Sequence, residues 1–106
     1  MLGEFEYLIL AATQRLDDNA YGASIAQEIE GFTGRRCSLG ALYTTLDRLE
    51  AKGLIKTRMG DPTPERGGRA KRMVKLTPAG KKAAAEFYSV IAAATKGIAW
   101  ACSGLV

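Results

Sequence analysis

The sequence predicts a mainly α-helical fold with one small β-hairpin. Two observations carry this, and a third bounds it. Apolar residues recur at helical spacing in four separate stretches, and two short strand-like segments flank a stretch rich in proline and glycine. The chain has 106 residues, enough for one core or one core with an added long helix, but not for two independent cores.

The first helix is expected from Gly3 to about Leu16. Phe5, Leu8, Ile9, Ala12 and Leu16 define its apolar face, and Asp17-Asp18-Asn19 supplies turn chemistry at its end. A second helix follows from Tyr21 to about Phe32, with Tyr21, Ile25, Ile29 and Phe32 on one stripe and Thr33-Gly34 as its stop. The third helix begins after Ser38, whose hydroxyl suits an N-cap. Leu39, Leu42, Leu46 and Leu49 form its buried stripe, and Gly53 is placed to end it in a left-handed conformation. Two such helices, the second with a polar outer face, are compatible with a helix-turn-helix.

Leu54 to Met59 is the first strand candidate and Arg69 to Leu76 the second. Between them, Gly60-Asp61-Pro62-Thr63-Pro64-Glu65-Arg66-Gly67-Gly68 reads as a long irregular basic tip. Thr77-Pro78 opens a last helix, with threonine as N-cap and proline in the first turn, running towards Ser103. Ala84, Phe87, Ile91, Ala94, Ile98, Ala101 and Leu105 alternate steps of three and four along it, which is a heptad seam. This stripe reads as a dimerisation surface; the competing reading packs it on the first helix of the same chain. Gly97 and Gly104 weaken the helix end, so fraying after about residue 96 is expected. The organisation expected is a winged helix-turn-helix over residues 1–77 and a dimerisation helix over 78–106.

Composition narrows the function. The 47% apolar and 25% charged fractions fit a soluble globular protein. No apolar run reaches the roughly 18 residues of a membrane span, so no membrane association is expected. The start, Met1 to Glu6, carries acid where a signal peptide carries positive charge. Cys37 and Cys102 stand far apart, which fits a reducing cytoplasm without a disulfide framework. Histidine is absent, which removes histidine-based catalysis and most zinc sites. With no phosphate-binding glycine motif, carboxylate pair or metal cluster in the sequence, an enzyme is not expected, nor is a cofactor or metal.

Charge is unevenly spread. Residues 33–82 carry a net +9 and the remainder a net −5. A basic middle suits a polyanion such as double-stranded DNA; solvated charge on ordinary helices is the alternative. On the third helix Gly40, Ala41, Thr44, Asp47 and Arg48 lie opposite the leucines. Small residues there suit a close fit in the major groove, with Thr44 and Arg48 reaching base edges and Ser38 and Tyr43 bonding phosphates. A merely solvated polar face is the competing reading. The hairpin adds Arg66, Arg69, Lys71, Arg72 and Lys75 with no acid after Glu65, and a Gly67-Gly68 hinge in its tip. Cys37 precedes the third helix and follows Arg35 and Arg36. Helix dipole and arginines would stabilise a thiolate there as a redox switch; a buried, inert cysteine is the other reading.

A helix-turn-helix followed by a basic hairpin is a winged helix. Tyr21-Gly22, the stretch Ser38 to Leu46, Leu49 to Ile55, Gly67 to Arg72 and Leu76 to Gly80 together resemble the PadR family of bacterial transcriptional regulators, over about residues 3–82. The family commonly has Arg-x-Lys-Tyr-Tyr after the wing glycines, where this chain has Arg69-Ala70-Lys71-Arg72-Met73. The resemblance implies a homodimer repressing from a palindromic operator, often beside a transport or detoxification gene. The DNA-facing set expected is Tyr21, Ser38, Gly40, Tyr43, Thr44 and Arg48, with Arg69, Lys71 and Arg72 on the wing. Phe87, Ile91, Ala94 and Ile98 are the expected dimer contacts. The chain is similar to the short branch with one C-terminal helix, in which an aromatic of that helix lines a pore between subunits and stacks on flat hydrophobic ligands. Trp100 would take that role towards a small hydrophobic effector; packing against the partner, or exposure on a frayed end, is the alternative. A winged-helix module that binds an acidic protein, without specific DNA binding, is the runner-up function.

Overall fold

The computed structural model describes residues 1–62 and 70–101. In chain order it runs α1 (Glu4–Leu16), a 3-10 turn (Asp17–Asn19), α2 (Gly22–Thr33), α3 (Leu39–Ala51), β1 (Ile55–Pro62), β2 (Ala70–Leu76), α4 (Pro78–Thr95) and a last 3-10 turn (Ala99–Ala101). This is a winged helix-turn-helix followed by a C-terminal helix. The α2–α3 pair is the helix-turn-helix, and the antiparallel β1–β2 hairpin is the wing.

One core gathers all these elements. Ile9 and Leu10 of α1, Ile25 of α2, Leu42, Leu46 and Leu49 of α3, and Ile55 of β1 are fully buried. Each such side chain contributes about 1.5–3 kcal/mol by leaving water. The helical stripes hold in their centres and fail at their ends. Phe32 and Leu39, expected in the core, are exposed. They flank the turn between α2 and α3, and Phe32 turns its ring to Arg15 of α1 instead of the core. Leu10, outside the expected stripe, is central, because α1 is covered on two sides, by α2 and by α4 with β2.

The wing pairs from Ile55 opposite Leu76 to Met59 opposite Arg72, with an irregularity before Pro62 meets Ala70. Gly60, Asp61 and Pro62, expected in an irregular tip, therefore belong to β1. A proline is tolerated there because β1 is an edge strand. The other edge of β2 is taken by the chain before α2: Tyr21 bridges Met73, and Val74 N–H donates to Ala20 O at 2.9 Å. Residues 63–69, including Arg66, Arg69 and the glycine hinge, lie outside the described residues.

The expected signals at helix ends hold where they are local. Ser38 Oγ accepts from Ala41 N–H at 3.2 Å, and Gly53 takes φ 77° after α3. At the start of α4 one residue joins three elements. Thr77 Oγ1 accepts from Gly80 N–H at 3.0 Å and donates to Gly53 O at 2.6 Å, while Thr77 N–H donates to Leu54 O at 3.1 Å. Gly80 sits so close that a Cβ there would overlap the Leu54 carbonyl oxygen.

The expected helix to Ser103 is corrected. α4 ends at Thr95, and Gly97 turns the chain with φ 79°. Ile98 and Trp100 follow the break, so the seven-residue seam is not continuous; Leu105 and Cys102 lie outside the described residues. Its first part is occupied within the chain: Phe87 stacks on Tyr7 of α1, with ring centroids 4.7 Å apart.

One buried acid fastens α1 to α3. Glu6 Oε1 accepts from Gly3 N–H at 2.9 Å, and Glu6 Oε2 accepts from Lys52 Nζ at 2.8 Å. The Gly3 N–H bond, then Lys52 and the nearby Arg48, hold its carboxyl below the usual glutamate range despite burial. A lowered folded-state value means the carboxylate stabilises the fold above the unfolded-state value. That stability is lost as pH falls through the folded-state value.

Two outcomes follow from these contacts. Glu6→Gln should cost about 1–3 kcal/mol at neutral pH by chemical denaturation, and the difference from the parent should shrink as the solution is acidified through the carboxylate range. Gly80→Ala should lower stability by about 1–3 kcal/mol through overpacking, although alanine is the better helix former; an unchanged or raised melting temperature would show that α4 can shift off Leu54 freely.

Candidate nucleic-acid interface

The outer face of α3 is set by what its inner face buries. With Leu42, Thr45, Leu46 and Leu49 turned inward, Gly40, Ala41, Thr44, Asp47 and Arg48 are all exposed. The helix thus presents the small residues Gly40 and Ala41 near its front, beside the exposed Leu39 and Tyr43, and polar ones further along. Ser38 is exposed beside its cap bond. Arg48 lies on the flank nearest Glu6, where its charge is felt.

Tyr43 explains the expected Tyr21-Gly22 pair in physical terms. A Cβ built on Gly22 would overlap the Tyr43 ring, 2.6 Å from Cζ. The first turn of α2 has a glycine where Tyr43 of α3 crosses it. Tyr21 N–H donates to Ser24 Oγ at 2.9 Å, which in turn donates to Asn19 O at 2.6 Å. This holds Tyr21 at the α2 start, and Lys71 Nζ lies 4.4 Å from its ring centroid as a cation–π pair.

Strand alternation divides the cations of the wing between two faces. Lys56, Arg58, Lys71 and Lys75 take the outer face, with Lys75 Nζ 3.9 Å from Asp18 Oδ1. Arg72 takes the face turned to α3. Its Nη2 donates to Asp47 Oδ1 at 2.9 Å and to Glu50 Oε1 at 3.1 Å. Glu50 Oε2 accepts from both the N–H and the hydroxyl of Thr57, at 3.2 and 2.8 Å. Those Thr57 bonds first, with Arg72, lower the Glu50 carboxyl below the usual range. The structure therefore places Arg72 on the carboxylates of α3, compensated within the chain, whereas the sequence alone suggested an uncompensated cation. Asp47 and Glu50 are the partners that sequence reasoning missed. Their signal was present: two acids three apart on one helix flank, just before a strand pair that folds back.

The thiolate reading of Cys37 is corrected. Burial first, then the charge of Glu30, push the thiol above its usual value. Cys37 N–H donates to Glu30 Oε2 at 2.7 Å, so the nearest charge is negative. Arg35 and Arg36 are exposed. On α4, Tyr88, Val90 and Ile91 are exposed beyond Phe87, and Trp100 is 77% exposed after the helix break. Ala94 is exposed and Ile98 half-buried. Among the described residues no group of acids and cysteines is arranged to hold a metal, and no helix is long and apolar enough to cross a membrane.

Comparison with known proteins agrees with this geometry. A transcriptional regulator of Mycobacterium tuberculosis, Rv3488, is 43% identical over 72 residues, spanning 66% of this chain and 61% of that protein's length. A transcriptional regulator from Clostridium thermocellum superposes with a TM-score of 0.70 at 25% identity, over 88% of this chain and 87% of its own. Bacillus subtilis PadR, in complex with operator DNA, shares the fold with a TM-score of 0.65 at 22% identity, over 80% of this chain and 46% of its own. The model of the transcriptional regulator PadR-like family matches residues 9–86. The chain therefore belongs to the PadR-like family of transcriptional regulators.

Proposed function

We propose that this chain is one subunit of a homodimeric repressor that reads a palindromic operator in double-stranded DNA and is released by a small hydrophobic effector. The observation that carries the reading is the outer face of α3. Gly40, Ala41, Thr44, Asp47 and Arg48 stand in solvent while the wing is fastened alongside. Bacillus subtilis PadR, which has the same fold, holds operator DNA. Ser38, Tyr43, Tyr21 and Lys71 flank this face and serve the phosphates, as does Arg69 in the segment outside the described residues. Thr44 and Arg48 reach bases.

A single winged helix covers too few base pairs to find one site in a genome, and a two-fold pair reads two half-sites. The surface suited to pairing is the exposed part of α4 around Tyr88, Val90 and Ile91, extended by Ala94 and Ile98 at the helix end. Phe87 supports it from below while stacked on Tyr7. Trp100, beyond the break, offers a flat ring to a hydrophobic ligand, and as the sole tryptophan it would report that binding by fluorescence.

Two measurements test this. In competition binding, Thr44→Ala with Arg48→Ala should lose about 1–3 kcal/mol of discrimination per base contact between the operator and random duplex, while nonspecific affinity is largely kept. Unaltered discrimination would remove α3 as the reading element. Ile91→Glu should give a monomer by sedimentation and no operator binding at concentrations where the parent binds. A variant that remained dimeric would place the subunit contact elsewhere.

A further inference from the structure

Among the exposed residues of α3, Asp47 is the anomaly. It is a carboxylate in the middle of the surface assigned to a polyanion, with its side chain 70% exposed. Arg72 is its counter-charge, but the one guanidinium is shared with Glu50, so the group of three keeps a net negative charge. Such a group beside phosphates costs affinity for every duplex.

The geometry gives Asp47 something to offer in return. Arg72 Nη2 engages Oδ1 only, and Oδ2 has no partner among the described residues. Arg72 itself is 25% exposed and anchored by Glu50, which Thr57 fixes with two bonds. The carboxylate is thus held at one oxygen and open at the other. Its neighbours Gly40 and Thr44, seven and three residues before it, and Ala51, four after, are short, while Tyr43 and Glu50 stand four before and three after it. A base edge can approach it over Gly40 and Thr44.

We propose that Asp47 is the specificity-determining acceptor of the recognition helix, reading the N4 amino group of a cytosine in the major groove, and that Arg72 is its positioning residue. The inference rests on the DNA-binding reading above. Cytosine follows from the chemistry of the base edges. It offers a donor alone, whereas adenine sets its N7 acceptor beside its amino group, and guanine and thymine offer carbonyl acceptors to a carboxylate. Rejection of those acceptor edges contributes as much to the choice as the bond that is formed. The salt-bridged wing thereby acts on sequence choice without touching a base.

The test is selection of bound sequences from random-sequence duplexes by the full chain and its variants, with affinity for unselected duplex measured in parallel. The parent should enrich cytosine at one position of each half-site. Asp47→Ala should flatten that position alone, a loss of about 5- to 100-fold in preference, with nonspecific affinity equal to the parent's or tighter. Asp47→Asn should move the preference at that position to adenine, whose N6 and N7 an amide pairs in bidentate fashion. Arg72→Ala should weaken the same position and leave the others in place, which a loosened wing alone would not do. The proposal is overturned if Asp47→Ala tightens binding to all duplexes alike and leaves the selected sequence unchanged, or if the position it flattens carries another base in the parent. A parent that binds DNA but enriches no sequence overturns it too, and one that binds no DNA instead removes the function on which it rests.

Discussion

The architecture hangs on the crossing of Thr77 and Gly80 over Gly53 and Leu54. The N–H groups of Lys52, Gly53 and Leu54 close the end of α3 on the carbonyls of Arg48, Glu50 and Leu49. The carbonyls of Gly53 and Leu54, just past the helix, are met by Thr77, through its hydroxyl and its N–H, while the same hydroxyl caps α4. Gly80 allows α4 to lie against the Leu54 carbonyl. The segment that follows α3, the root of the wing and the start of the C-terminal helix therefore share one set of bonds. The wing can only leave and return at that place, which fixes Ile55 opposite Leu76 and with it the register of the hairpin.

From that root, α3 is held on two flanks by charge. On one flank Lys52 reaches the buried Glu6 of α1. On the other, Asp47 and Glu50 receive Arg72 from β2. The two contacts differ in kind. Glu6 is buried with its carboxylate bonded to a backbone N–H and an ammonium, so its loss removes the shared acceptor of two part-buried hydrogen bonds. The Arg72 pairs are at the surface, where an ion pair is worth little to stability. Their consequence is orientation: the wing is kept against one side of α3, and the outer face is left open between the two clamps.

Much of this was legible in the sequence because the signals were local. Ser38, Gly53 and Thr77-Pro78 mark chain ends through bonds to residues one to four positions away, and all three act as expected. What failed depended on distant partners. A helical stripe does not show where the opposing surface stops, so Phe32 and Leu39 read as core although they lie past the end of the contact. The heptad from Ala84 to Leu105 is a pattern of side chains, and the backbone turn at Gly97 interrupts it. Cys37 looked electropositive from its two neighbouring arginines, while its burial first, and then Glu30 seven residues upstream on α2, raise its thiol above the usual value. The site itself was half legible. The face of α3 follows from helix period, but the partners of Arg72 become visible only once the hairpin is folded back.

The same junction couples α4 to the outer face of α3, the face proposed to meet DNA. Its first turn is bonded to the end of α3, and it rests on α1 through Phe87 and Tyr7. Its last two turns, from Tyr88 to Thr95, stand clear with apolar side chains exposed. Eighteen residues of helix extend about 27 Å, so a tilt of roughly 5° about the fixed end displaces the far end by roughly 2 Å. In the proposed dimer the far end is the part gripped by the partner. In the proposed repressor, a ligand against Trp100 that changed how the two subunits meet would be accommodated either by bending α4 or by rotating the winged helix that is bonded to it. The bonds at Thr77 and the close contact at Gly80 oppose bending at the root, and rotation alters the spacing of the two recognition helices. Because a two-fold operator tolerates little error in that spacing, a small movement at the C-terminal helix suffices to weaken binding, with no ligand near the DNA and no change in α3 itself.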